Sequence, residues 1–230
     1  MIAPVQVVAE TRSSFPYVAP FAAFLGLLAI GNLLPIPQEV NYPVRVALVS
    51  VVLWVFSKGV ISLRVSNWMG SVLLGIGVFL VWVGPEFLWP EYRRHGLFSN
   101  SLLGTPATSL PGTATLSLSF LVIRAAGSAL LVPIVEELFW RAWLMRWIID
   151  NDFWKVPLGT YATASFWLTA VLFASEHGPY WEVGLIAGIA YNWWMIRTAS
   201  LGDCILSHAV TNACLAAYVV GAKQWQYWGL

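Results

Sequence analysis

LSLSFLVIRAAGSALLVPIVEELFWRAWLMRWII, residues 116–149, is an apolar run that would measure about 51 Å as a single helix. A bilayer has a hydrocarbon core of about 30 Å, so the run is too long for one perpendicular crossing, and Pro133 inside it is expected to kink or interrupt it. Reading outward from this run gives further apolar stretches of spanning or near-spanning length. Tyr17–Leu34, Val44–Ile61 and Trp68–Val83 precede it, and Thr163–Ser175, Val183–Ile196 and Cys204–Val220 follow. The count is seven spans, or eight if the long run is two helices. The expected fold class is all-α, a polytopic transmembrane helix bundle.

Composition supports a bilayer as the solvent. Of 230 residues, 59% are apolar and 10% charged, and the mean hydropathy is +0.72. A soluble chain carries about a quarter charged residues to coat its surface. A net charge of +1 without a basic run leaves no electrostatic footprint for nucleic acid. Cys204 and Cys214 lie about 15 Å apart along one apolar segment and cannot bridge each other within one helix. The start, MIAPVQVVAETRSS, lacks the basic segment, apolar core and cleavage site of a removable signal peptide.

Residues 1–84 read as a three-span region and 85–115, rich in Pro, Gly, Ser and Thr, as an extramembrane connection. Residues 116–222 read as a helical core and 223–230 as a tail. Trp89, Tyr92, Trp147, Trp154, Tyr180 and Trp181 gather near segment ends and are expected to be headgroup anchors. Lys58 should lie near an interface. With seven spans, Arg12, Arg64, Arg146, Lys155 and Arg197 fall on one side and Arg45, Arg93, Arg94 and Lys223 on the other, which favours a cytoplasmic N-terminus. Gly184 and Gly188 have the small-xxx-small spacing of close helix packing. Asp203 is expected to be the N-cap of the last span.

Chemistry is sought where charge is penalised. An ionisable side chain in a membrane helix costs about 2.5 to 3.5 kcal/mol on insertion scales and normally faces the bundle interior. Three segments qualify: Glu136-Glu137-Leu-Phe-Trp-Arg141, Phe173-Ala-Ser-Glu-His177 and His208-Ala-Val-Thr-Asn212. Glu137 and Arg141, four residues apart on one helical face, can form a charge-assisted pair. Glu136 is rotated about 100° away, free of that partner, and suits a general base. His208 and Asn212 share a face, where two neighbouring donors suit an oxyanion hole. Phe173 can pack beside His177. Glu176 and Asn192 are expected to be rim contacts.

These segments, EExxxR, FxxxH and HxxxN in that order, resemble the signature of the CAAX prenyl protease and bacteriocin-processing family of intramembrane endopeptidases, over about residues 116–220. The resemblance implies peptide-bond hydrolysis in a membrane-associated protein or peptide, with water activated by Glu136, assisted by His177. It further implies oxyanion stabilisation by His208 and Asn212, with Glu137 and Arg141 as supports. Some bacterial members similar to this chain accompany exosortase-type sorting systems, so such a partner and a bacterial inner membrane location are expectations. No cofactor is required by this reading. Its alternatives are a zinc-dependent protease with Glu136, His177 and His208 as ligands, and a non-proteolytic transporter or scaffold using the same buried groups.

Overall fold

The computed structural model describes residues 13–100, 103–106, 110 and 117–228. The N-terminal stretch with Arg12, most of the Ser/Thr-rich part of the connection, Leu116 and the last two tail residues lie outside the described residues, so neither the signal-peptide reading nor the full 85–115 connection is addressed by the structure.

Seven helices form the bundle: α1 (Phe15–Leu33), α2 (Gln38–Ser57), α3 (Trp68–Leu88), α4 (Leu118–Trp147), α5 (Thr163–Ser175), α6 (Trp181–Thr198) and α7 (Leu201–Ala222). Among the described residues there is no strand. Helices dominate because hydrocarbon offers no partners to backbone N–H and C=O groups, which a helix satisfies internally. Pro35-Ile36-Pro37 ends α1 as the sequence suggests, and Asn67 caps α3 by accepting from the Gly70 N–H at 3.0 Å. Helices α2, α3, α4 and α7 are long and apolar enough to cross a membrane alone.

The details of some elements differ from these expectations. The long run is helical throughout its 30 residues, about 45 Å, with a π-helical stretch at 127–131 interrupting the α-helix just before Pro133, and α3 continues to Leu88. Asp203 is not the cap of α7: Ser200 is, accepting from the Asp203 N–H at 3.2 Å. The Asp203 carboxylate instead accepts from the backbone N–H groups of Ser66 and Asn67 (both 2.8 Å) and from the Ser66 and Ser71 hydroxyls (2.7 and 3.0 Å). The start of α7 is thereby fastened to the start of α3.

Such bonds show how the helices alternate. Ser57 at the end of α2 donates to the Pro16 carbonyl at the start of α1, and Ser165 at the start of α5 donates to the Met145 carbonyl near the end of α4. At the other end, Arg93 after α3 pairs with Glu182 at the start of α6 at 2.7 Å. The three N-terminal helices share one core with the rest, where Phe21 of α1 stacks on Phe139 of α4 at 4.2 Å. Leu80, Leu130 and Val171 are 58%, 63% and 53% exposed, as expected of side chains facing lipid tails. Trp89 is exposed like an anchor, but Tyr180 is buried beneath the Arg93 guanidinium, 4.2 Å from its ring centre. Ion pairing of Arg93 within the bundle drew Tyr180 inward.

Candidate active site

Helix α4 carries the two glutamates and owes its continuity through Pro133 to a wide turn. Residues 127–131 are π-helical, and the Val132 N–H bonds back to the Gly127 carbonyl. Pro133 has no N–H to offer. The Ser128 carbonyl is thus bypassed by Val132 and cannot be reached by Pro133. Asn212 of α7 supplies the missing donor, its amide nitrogen lying 2.8 Å from that oxygen. One of the two Asn212 N–H bonds is therefore committed to the backbone of α4, and the other remains for a ligand.

Glu136 and Glu137 occupy different surroundings. Arg141 Nη1 donates to Glu137 Oε1 at 3.0 Å, and neither side chain is exposed. Arg141 Nε donates to Asn192 Oδ1 at 3.1 Å, while the Asn192 amide donates to the Phe166 carbonyl at 2.8 Å. Asn192 is thus a fully buried core residue, not a rim contact, because the guanidinium needs a third-helix acceptor. Phe173 and Tyr191 cover the Arg141 guanidinium, 4.4 and 5.4 Å from their ring centres. Glu136, 7% exposed, faces away from all this, and its Oε2 has no hydrogen-bond partner.

His208 lies between the glutamates. Its Nδ1 is 2.9 Å from Glu137 Oε1, and its Nε2 faces Glu136 Oε2 at 4.0 Å. The second separation is too long for a hydrogen bond, yet both atoms can reach one small group between them. Tyr191 stacks on the imidazole at 5.0 Å and donates to Thr211 Oγ1 at 2.7 Å, which fixes the ring plane.

His177 sits just past α5, in the turn leading to α6. The backbone tightens there, with the His177 N–H bonding to the Ala174 carbonyl, and this frees the Phe173 carbonyl. The imidazole takes that acceptor through Nδ1 at 2.7 Å, which leaves Nε2 as the nitrogen available for chemistry. Phe173 packs beside the ring at 4.7 Å, as its spacing predicts. Gly184 supports the other side, where a Cβ would stand 3.1 Å from the His177 ring, and at Gly188 one would meet the Ala170 carbonyl of α5 at 3.1 Å. The small-residue spacing does bring α6 close to a neighbour. Glu176 Oε1 accepts from the Trp140 indole at 3.1 Å.

Glu136, His177, His208 and Asn212, with Phe173 and Glu176, line a single cavity of about 400 Å³. Glu137 and Arg141 stand behind its wall. Tyr191 and Thr211, which hold His208, were not picked out by sequence, since an aromatic and a threonine in apolar helices read as packing. Of the metal alternative, no group of three His, Cys, Asp or Glu side chains among the described residues is gathered closely enough to hold an ion.

Residues 118–214 match the family model of the type II CAAX prenyl endopeptidase, Rce1-like. Over this segment the chain is similar to the CAAX protease family. No curated protein and no solved structure matches the chain. The CAAX protease segment begins with α4 and ends within α7, so it contains every residue from Glu136 to Asn212. The family is one of intramembrane peptidases, and the apolar bundle agrees with an integral membrane peptidase acting on a peptide at the bilayer.

Proposed function

We propose that this chain is an intramembrane endopeptidase in which Glu136 activates water against a peptide bond of a membrane-associated substrate. The observation that carries the reading is the buried, unpartnered Glu136 Oε2 facing a cavity that it shares with His177 and His208. Glu136 takes a proton from the water, and His177, fixed through Nδ1, presents Nε2 to orient the same water. The attacked carbonyl oxygen becomes negative as the water oxygen bonds to its carbon. His208, in its doubly protonated form, donates from Nε2 to that oxygen, and Glu137 stabilises the imidazolium from behind. The free N–H of Asn212 is the second donor. The tetrahedral intermediate then collapses, the C–N bond breaks, and Glu136 returns its proton to the leaving amine nitrogen.

The reading is metal-free. Its support is that no three His, Cys, Asp or Glu side chains among the described residues gather closely enough to hold an ion, while Glu136 and His208 stand 4.0 Å apart, as a base and a donor facing one group can. Active protein should therefore carry well under one equivalent of zinc by elemental analysis. Stoichiometric zinc that tracks activity would favour the ligand reading of Glu136, His177 and His208. Comparing membrane-protein termini between cells expressing the parent and Glu136→Gln tests the proposal as a whole: new termini should appear only with the parent. An exosortase-type system and a bacterial inner membrane are proposed as the setting, and the same comparison names the substrate.

A further inference from the structure

The cavity that holds Glu136 has a second charged pole. Arg45 of α2 and Arg124 of α4 line its wall, and each is only 5% exposed. Their guanidinium carbons lie 5.2 and 4.4 Å from the centre of one ring, that of Tyr42. Arg124 also donates to the Trp228 carbonyl at 3.2 Å. The contacts of Arg45 are the ring faces of Phe24 and Tyr42, and its buried Nε has no hydrogen-bond partner.

A guanidinium carries five donors and no acceptor. The ring faces around Arg45 attract its charge but give its donors no lone pair. An arginine kept inside a membrane bundle at that cost marks a place where an anion is met, and its planar fork matches a carboxylate. The opposite end of the cavity is acidic, with Glu136 and Glu176 on its wall. A peptide carrying a negative group is therefore held at the arginine end, away from Glu136, which sets its direction. Arg124 precedes Glu136 by about 18 Å of helix, a length that roughly five extended residues would span. Arginines that serve lipid headgroups would reach outward from the bundle, whereas these two are covered and face the cavity.

We propose that Arg45 and Arg124 form an anion subsite that seats a carboxylate of the peptide substrate, several residues from the bond presented to Glu136. The proposal rests on the peptidase reading, and its test records binding, so that it stands or falls apart from the cleavage experiments.

The full chain in phosphatidylcholine nanodiscs is titrated with three fluorescent, N-acylated alanine-based peptides. One has a free carboxyl terminus, one is its C-terminal amide, and one is the amide with a single Glu side chain. At least one carboxylate peptide should bind about tenfold or more tightly than the neutral amide, and which one gains identifies the carboxylate as terminal or side-chain. Arg45→Gln should erase the difference while leaving binding of the neutral amide unchanged, and Arg124→Gln should do the same. Equal affinity of the three peptides for the parent, including no binding of any, overturns the proposal. So does a preference that survives both substitutions.

Discussion

Glu137 Oε1 receives both the Arg141 guanidinium at 3.0 Å and His208 Nδ1 at 2.9 Å. Two donors thus converge on one oxygen of a carboxylate that no water reaches, while its Oε2 has no hydrogen-bond partner. Removing the cation alone leaves a buried charge with one imidazole for a partner. Breaking a buried pair in this way costs about 3 to 5 kcal/mol. Arg141→Met should lower the midpoint of thermal unfolding in detergent sharply, and adding Glu137→Gln should recover part of the loss. Additive losses in the double variant would show that the pair is not coupled. This pair was legible because its partners stand four apart on one helix. The contact with His208 was not, since it joins α4 to α7 and spacing within one helix says nothing about a neighbour. Arg45 and Arg124 escaped notice for the same reason: one was counted as a loop charge, and the other lay unremarked in the long apolar run.

At the scale of the element, α4 shows how a helix continues past Pro133. A proline removes one donor and normally breaks the ladder, but a π-turn shifts the unpaired carbonyl to Ser128, where Asn212 meets it. α- and π-turns differ by one hydrogen-bond step and carry no distinct residue pattern, so the sequence could show the proline and not its remedy. Asn212 thus has a structural use beside its proposed catalytic one, and the two can be separated. Asn212→Ala should cost about 1 to 3 kcal/mol of stability by orphaning the Ser128 carbonyl. In a Pro133→Ala background, position 133 regains an N–H and the stability cost should shrink. The loss of cleavage rate should persist there, because the second amide donor is still missing. If rate recovers along with stability, Asn212 is only a tether.

For the whole molecule, the apolar runs gave all seven helices, because a bilayer demands segments of fixed length. The ends were less legible: α2 begins six residues before the apolar run does, because Pro43 and Arg45 lie within its first turns. The alternation of seven helices places Lys58, Arg64, Arg146, Lys155 and Arg197 at the end where α1 begins, while Arg45, counted against them, is buried inside. The charge asymmetry supports a cytoplasmic N-terminus more strongly than the loop count alone. The cavity, lined by Gly104, Pro179 and Trp228, then lies toward the opposite side. In intact cells, Arg94→Cys should react with an impermeant maleimide and Arg64→Cys should not. The reverse labelling would invert the orientation.

The claim on which the rest depends is that Glu136 is the base. Once its substrate is identified, the cleavage rate in proteoliposomes should fall by about 10²- to 10⁴-fold in Glu136→Gln, with unfolding temperature and substrate binding unchanged. A Glu136→Gln protein that cuts as fast as the parent would contradict the account.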